Sequence, residues 1–453
     1  MAPEVVFLFP GLGSYRHGAL HQASQEFAVV GQVLAEIDDA LALPSAESLS
    51  RFVFDGDVTE TQELLQAANY ACSVATAKVL LECGVEPDVL VGHSFGEMAA
   101  MAIAGAVSIG DGAKVVRHRV TALRDWAGAG GMLAIGADLE AIGHLVGLAR
   151  ARKLVVACRN APQQTVLSGP NDELAAVESI ATALGLPVSS LAPPFPSHHP
   201  MMTPVIDVFL DLASDVVRRP FGRTVYSPMH GRFYGLEEDP VARFAEGVRL
   251  PVGFVDAVRL LHAQGARKFV ETAVSRALVR SVGETVPGVE LHAPLANPDT
   301  EVDALRAVIA ALGGTRAAAP GGRPAVQPAA GPPRPAPQPV VEPLLEPEAP
   351  RGLEARPAPE PPREPTVEPS GRQDVVLKLR TLYAAALGYP VDLVTEEAQL
   401  EGDLGVDSLK QTALLNRALE DNGVRIDPRG VPIWQYGTVG HIADYVVDRR
   451  STG

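Results

Sequence analysis

Residues 313–373 are mostly Pro, Ala, Glu and Arg, as in AVQPAAGPPRPAPQPVVEPLLEPEAPRG. Such a segment has too few large apolar side chains to offset the entropy of ordering it, so it is expected to be a disordered tether outside any core. Its prolines favour an extended, semi-rigid path. This one feature divides the 453-residue chain into a first domain over 1–312 and a second over 374–453, each able to bury a core of its own.

In the first domain EVVFLFPG and DVLVGHS read as short buried strands ending in glycine-containing turns, with helical stretches such as ANYACSVATAKVLLECG between them. Strands alternating with helices predict an α/β fold with a parallel sheet covered on both faces. A second pattern occupies about 131–192. MLAI, LVVACRN, QTVLSG and PVSSLA read as strands, with ADLEAIGHLVGLAR and NDELAAVESIATALG as helices, in the order βαββαβ. That is a ferredoxin-like unit inserted into the larger domain. The last domain reads as all-helical: DVVLKLRTLYAAALG, then SLKQTALLNRALEDNG stopped at Asn422 and Gly423, then a helix near Thr438–Asp448 with Thr438 as its cap.

Composition excludes several classes. A net charge of −16 argues against nucleic acid and anionic membranes as partners. No apolar run is long enough to span a bilayer, and the opening MAPEVVFLFPG has neither a basic region nor a cleavage site, so a cytoplasmic location is expected. Three widely spaced cysteines, Cys72, Cys83 and Cys158, suit a reducing compartment and make neither a disulfide framework nor a metal site.

The chemistry centres on VLVGHSFGEMAA at 89–100. A serine between two glycines, at the point where a strand turns into a helix, has its hydroxyl pushed outward. Gly92 and Gly96 allow the tight path, and the helix points its free N–H groups at charge forming beside Ser94. The pentapeptide alone is weak evidence, since with 42 glycines it arises by chance about 0.2 times in such a chain. An ordinary turn and a nucleophile both fit it. A nucleophile needs a base, and PPFPSHHPMMTP offers His198 or His199 in a proline-stiffened loop.

Taken in order, FPGLGS, LLQAANYA, the segment around GHSFGE, GGMLAIG, NAPQQTVLSG, PSHHPMM, VYSPMHGR and LPVGF resemble the malonyl-CoA:acyl-carrier-protein acyltransferase family, the acyltransferase domains of polyketide and fatty-acid synthases, across nearly all of 4–310. The resemblance implies a hydrolase-like α/β fold, Ser94 as nucleophile and His198 as general base and acid. It also implies an oxyanion hole from the backbone N–H groups of Leu12 and Phe95. Gln66, Asn160 and His93 fall among its substrate-contacting positions. Arg119, 25 residues after Ser94, falls where the family places a carboxylate-binding arginine, whose planar fork suits a dicarboxylic acyl group. Arg117, two residues away, is expected to point elsewhere.

Some positions depart from the family. Leu12 stands where glutamine is usual, Phe95 is bulkier than the usual residue, and ETAVSRAL replaces Glu-x-Gly-Pro. FPSH, ending at His198, matches neither the HAFH nor the YASH signature and is nearer the VPSH of stand-alone malonyl enzymes. LEGDLGVDSLKQTALL resembles the phosphopantetheine attachment site of acyl carrier proteins and implies 4'-phosphopantetheine on Ser408, installed by a phosphopantetheinyl transferase. Lys410 and Ala413 replace acidic residues common in fatty-acid carriers.

Together these readings predict transfer of a malonyl-type group from an acyl-CoA, through acyl-Ser94, to a carrier thiol that is the chain's own. Nothing in the sequence resembles a ketosynthase, so a ketosynthase or other synthase component is an expected partner. A thioesterase or hydrolase, a transferase for an unusual starter or substituted malonyl unit, and an inactive docking platform are the alternatives. Free acid as product would mark the hydrolase, and a stable acyl-enzyme would exclude the platform.

Overall fold

A computed structural model describes residues 3–45, 48–54, 58–191, 195–297 and 300–315, and in the C-terminal part 372–387, 391, 394–396, 400, 414–415, 417–419, 421–424 and 437–451. The tether expected over 313–373 therefore lies almost wholly outside the described residues. Of its first residues, Thr315 N–H still donates to Cys83 O at 2.8 Å.

The main sheet runs in the order β11 (Glu290–His292), β10 (Lys268–Glu271), β1 (Val5–Phe9), β2 (Val89–Gly92), β7 (Val225–Ser227), β8 (Arg232–Phe233). Its pairings are parallel except β7 with β8. β1 shows why the strands read as unbroken apolar runs. Phe7 and Phe9 enter one buried cluster and Val6 and Leu8 another, because alternate side chains face opposite sides of a sheet covered on both. The 21-residue helix Gln62–Glu82 lies on the first face, capped by Thr61 Oγ1, which accepts from Leu64 N–H at 3.2 Å.

The expected βαββαβ unit is present as β3 (Gly131–Ile135), helix Leu139–Ala149, β4 (Val155–Ala161), β5 (Gln164–Gly169), helix Asn171–Ala183 and β6 (Val188–Leu191). Its sheet has the order β6-β3-β5-β4-β9, so a fifth strand, β9 (Val252–Gly253), joins parallel to β4. That pairing was not foreseen, and it binds the subdomain to the start of the helix Phe254–Gln264. Within the ETAVSRAL departure, Ala273 and Val274 are buried and Val274 N–H donates to Ser14 O at 3.1 Å.

The C-terminal part contains helices Arg372–Leu387 and Val439–Ser451. With Leu415, Ala418 and Leu419 they close an apolar core that includes Val375, Leu379, Ile442 and Val446. Thr438 caps the last helix, its Oγ1 accepting from His441 N–H at 3.2 Å. Gly423 takes a φ of +69°, the left-handed conformation a helix stop favours. Ser408, Asp407, Lys410 and Ala413 lie outside the described residues.

Candidate active site

The turn after β2 is built by close approach. A Cβ at Gly96 would lie 2.0 Å from Phe9 O, and one at Gly92 would lie 2.1 Å from Glu97 Cα. Both neighbours are backbone and cannot swing aside. Gly96→Ala is accordingly expected to cost at least about 3 kcal/mol, read as a drop in the denaturant midpoint of the purified chain. Between these glycines Ser94 adopts a φ of +54°, a left-handed conformation strained for a non-glycine residue. Strain of this kind, at the mouth of a helix, lifts the hydroxyl out of the sheet.

Ser94 Oγ meets His198 Nε2 at 2.6 Å. His198 Nδ1 faces Gly247 O at 3.0 Å and Leu250 O at 2.8 Å. Two carbonyls can only accept, so Nδ1 carries the proton and Nε2 presents its lone pair to the serine. His198 has its own positive φ, +61°, and its N–H donates to Val248 O at 2.7 Å. Burial pulls the imidazole down to about 4, with smaller contributions from Arg119 and His93, so it is a neutral base throughout the physiological range. His199 is the structural member of the pair: its Nδ1 accepts from Met201 N–H at 3.0 Å and its Nε2 donates to Lys153 O at 2.8 Å.

Arg119 projects from the helix Ile109–Leu123 and is 6% exposed. Its guanidinium donates to Gln66 Oε1 at 2.9 Å and stands 5.6 Å from the centre of the Phe95 ring. No carboxylate among the described residues pairs with it. Burial lowers it to about 10, still charged at neutral pH. A desolvated cation held only by an amide and an aromatic face is costly unless an anion completes it. Arg117 points away, donating to Leu41 O at 3.0 Å.

Ser94, Phe95, Arg119, Ser197 and His198 line one narrow cleft together with Met229, Phe244, Gly247 and Val248. The sequence reading assigned no role to these last four. VYSPMHGR and LPVGF mark their neighbourhood, but only the fold turns it toward Ser94. Gln66 does not line this cleft and meets it only as the acceptor for Arg119. Asn160 Oδ1 and His93 Nε2 meet at 2.8 Å, and the His93 ring packs edge-on to Phe254. Leu12 packs against the apolar core in the loop after β1, and that loop touches the serine turn: a Cβ at Gly11 would stand 3.4 Å from His93 O. Phe95 N–H lies in the first turn of the helix, where amides have no helical acceptor.

A second group was missed altogether. Glu97, the first residue of the helix after the turn, is fully buried, accepts from Tyr234 OH at 3.1 Å, and is pushed up to about 8 by burial. Tyr234 OH also meets His230 Nδ1 at 3.0 Å, and His230 Nε2 meets Glu246 at 3.1 Å, next to the Gly247 that holds His198. Such a network has no linear sequence signature.

The acyl transferase domain model matches residues 6–312, more than half of the chain. The chain belongs to the acyl transferase family. A second model, the phosphopantetheine attachment site, matches 378–446, so this acyltransferase also has a carrier segment with covalently attached 4'-phosphopantetheine. The mycoketide-CoA synthase of Mycobacterium tuberculosis is 33% identical over 294 residues, 64% of this chain and 7% of that protein. The acyltransferase thus spans a small fraction of the curated relative. Among solved structures, the acyltransferase domain from module 8 of the salinomycin polyketide synthase is 30% identical with a TM-score of 0.62, covering 69% of this chain and 76% of that one. The malonyl CoA-acyl carrier protein transacylase from Coxiella burnetii shares the fold at 23% identity, with a TM-score of 0.60, covering 67% and 98%. The acyltransferase is therefore of the polyketide synthase type. Among its described residues no helix is long and apolar enough to cross a membrane.

Proposed function

We propose that the chain takes a malonyl-type group from an acyl-CoA onto Ser94 and passes it to the phosphopantetheine thiol on its own Ser408, within polyketide-like assembly. The supporting observation is the Ser94–His198 pair at 2.6 Å in one cleft with Arg119, a buried cation lacking a carboxylate partner among the described residues.

In this reading Ser94 Oγ attacks the thioester carbonyl as His198 Nε2 takes its proton. The oxyanion is met by the N–H groups of Leu12 and Phe95. As the C–S bond breaks, His198 returns the proton to the departing CoA thiol. His198 then removes the proton of the acceptor thiol and gives it to Ser94 Oγ as the acyl group leaves. 4'-Phosphopantetheine supplies that thiol on a flexible arm. Arg119 holds the far carboxylate through both phases. A hydrolase triad would set a carboxylate behind the histidine, whereas the Nδ1 partners here are the Gly247 and Leu250 carbonyls.

If the 61 residues expected as a tether behaved as a flexible chain, their end-to-end distance would be roughly 40–45 Å, enough to span a domain and give an effective concentration near ~1 mM. Intact mass of the phosphopantetheinylated chain, mixed with malonyl-, methylmalonyl- and acetyl-CoA, is expected to show a malonyl adduct on the carrier that Ser408→Ala loses. Cleaving the tether at micromolar protein is expected to slow loading by about 10²-fold or more. Unchanged loading after cleavage would count against transfer within one chain, and release of free acid alone would count against transfer.

A further inference from the structure

The cleft at Ser94 lies where two apolar clusters meet. Phe95, Phe244 and Val248 belong to the cluster on one side of the main sheet, and Met229 to the cluster on the other. Met229 sits in the turn between β7 and β8, which is held from several directions. Gly253 N–H donates to Pro228 O at 3.0 Å, His230 N–H to Ser227 Oγ at 3.1 Å and Gly231 N–H to Ser227 O at 2.8 Å. The backbone is fixed, while the unbranched thioether remains adaptable. Its tip rests on Gly247: a Cβ there would lie 2.7 Å from both Sδ and Cε of Met229. Gly247 in turn supplies a carbonyl that accepts from His198.

Resting on the reading of Ser94 and Arg119 given above, we propose that Met229 is a specificity-determining residue that sets the largest α-substituent the acyl pocket admits. The acyl group is tied at both ends, its thioester carbon at Ser94 and its carboxylate at Arg119. Only the substituent on the carbon between them is free to vary in size. Of the apolar side chains around it, Phe95 is held beneath the Arg119 guanidinium and Phe244 packs edge-on to Phe209. Val248 belongs to the segment whose carbonyls hold His198. Met229 is the long, unbranched wall that can yield. A large substituent must displace its tip, and behind the tip lies the Gly247 backbone, which cannot recede without moving the carbonyl that orients His198. Excess size is therefore penalised in turnover as well as in binding.

The test compares kcat/KM of the full-length phosphopantetheinylated chain for malonyl-, methylmalonyl-, ethylmalonyl- and butylmalonyl-CoA. Met229→Ala is expected to raise the butylmalonyl-to-malonyl ratio by about tenfold or more. Met229→Leu, close in volume, should leave the ratio as it is. An unchanged ratio in Met229→Ala overturns the assignment, as does loss of malonyl transfer with no gain for the larger groups. Where Met229→Ala does not fold, Met229→Val carries the same test, with a smaller shift in the same direction expected. Should the native chain load no dicarboxylic group at all, the malonyl reading fails by itself. Acetyl-CoA against hexanoyl-CoA then probes Met229, and an unshifted ratio there overturns its role.

Discussion

Ser94→Ala is expected to form no acyl-enzyme and to lower acyl transfer by about 10⁴-fold or more, measured as loss of the covalent adduct by mass and of carrier loading by rate. Alanine inherits the φ of +54° along with its strain, so stability should change little and the loss belongs to chemistry. Ser94→Gly relieves that strain, so it should be equally inactive yet more stable by about 1 kcal/mol. His198→Ala should cost a similar factor, and the double variant little more than either single one, because the two atoms at 2.6 Å act as one device. Transfer within about tenfold of the native rate in Ser94→Ala would remove the serine from the mechanism.

The second large effect concerns Arg119. Arg119→Ala is expected to reduce kcat/KM for malonyl-CoA by about 10²–10³-fold while leaving acetyl-CoA nearly untouched, so that selectivity between them collapses. Arg119→Lys should recover only part of the loss, because an ammonium cannot reproduce the two parallel hydrogen bonds of the guanidinium fork. A melting curve separates this from structural damage. The guanidinium is desolvated and has no carboxylate partner among the described residues, so its removal should not lower the melting temperature. Equal losses for malonyl and acetyl groups would show that Arg119 acts on the fold and not on the substrate.

Much of the first domain was legible because its signals are local. VVFLF and VLVG are buried on both sides and read as continuous apolar strands, and the βαββαβ unit repeats strand and helix lengths long enough to show their periods. β7, β8 and β9 have three, two and two residues, too few for any period, and so their joining of the two sheets was not foreseen. Ser94 and His198 were reached through motif and resemblance. What orients His198, however, is a pair of main-chain carbonyls about 50 residues onward, and backbone atoms leave no mark in residue identity. The wall formed by Met229, Phe244 and Val248 was hidden for a related reason, since each is an ordinary apolar residue that becomes a boundary only when two clusters face each other. The Glu97–Tyr234–His230 chain joins residues up to 137 positions apart and likewise depends wholly on tertiary placement.

The carbonyl cradle of His198 has a kinetic consequence. Carbonyls fix the tautomer but add no negative charge to stabilise an imidazolium, and burial already sets its conjugate acid near 4. A thiol, at about 8.5, is far closer to such a base than water, at about 15.7. In the second step the proposed dyad thereby takes a thiol's proton far more readily than water's, while in the first it relies on the 2.6 Å contact with Ser94 Oγ, an alcohol about as weakly acidic as water. An acyl ester on Ser94 would then outlast many solvent encounters, and its lifetime would be set by the arrival of the right thiol.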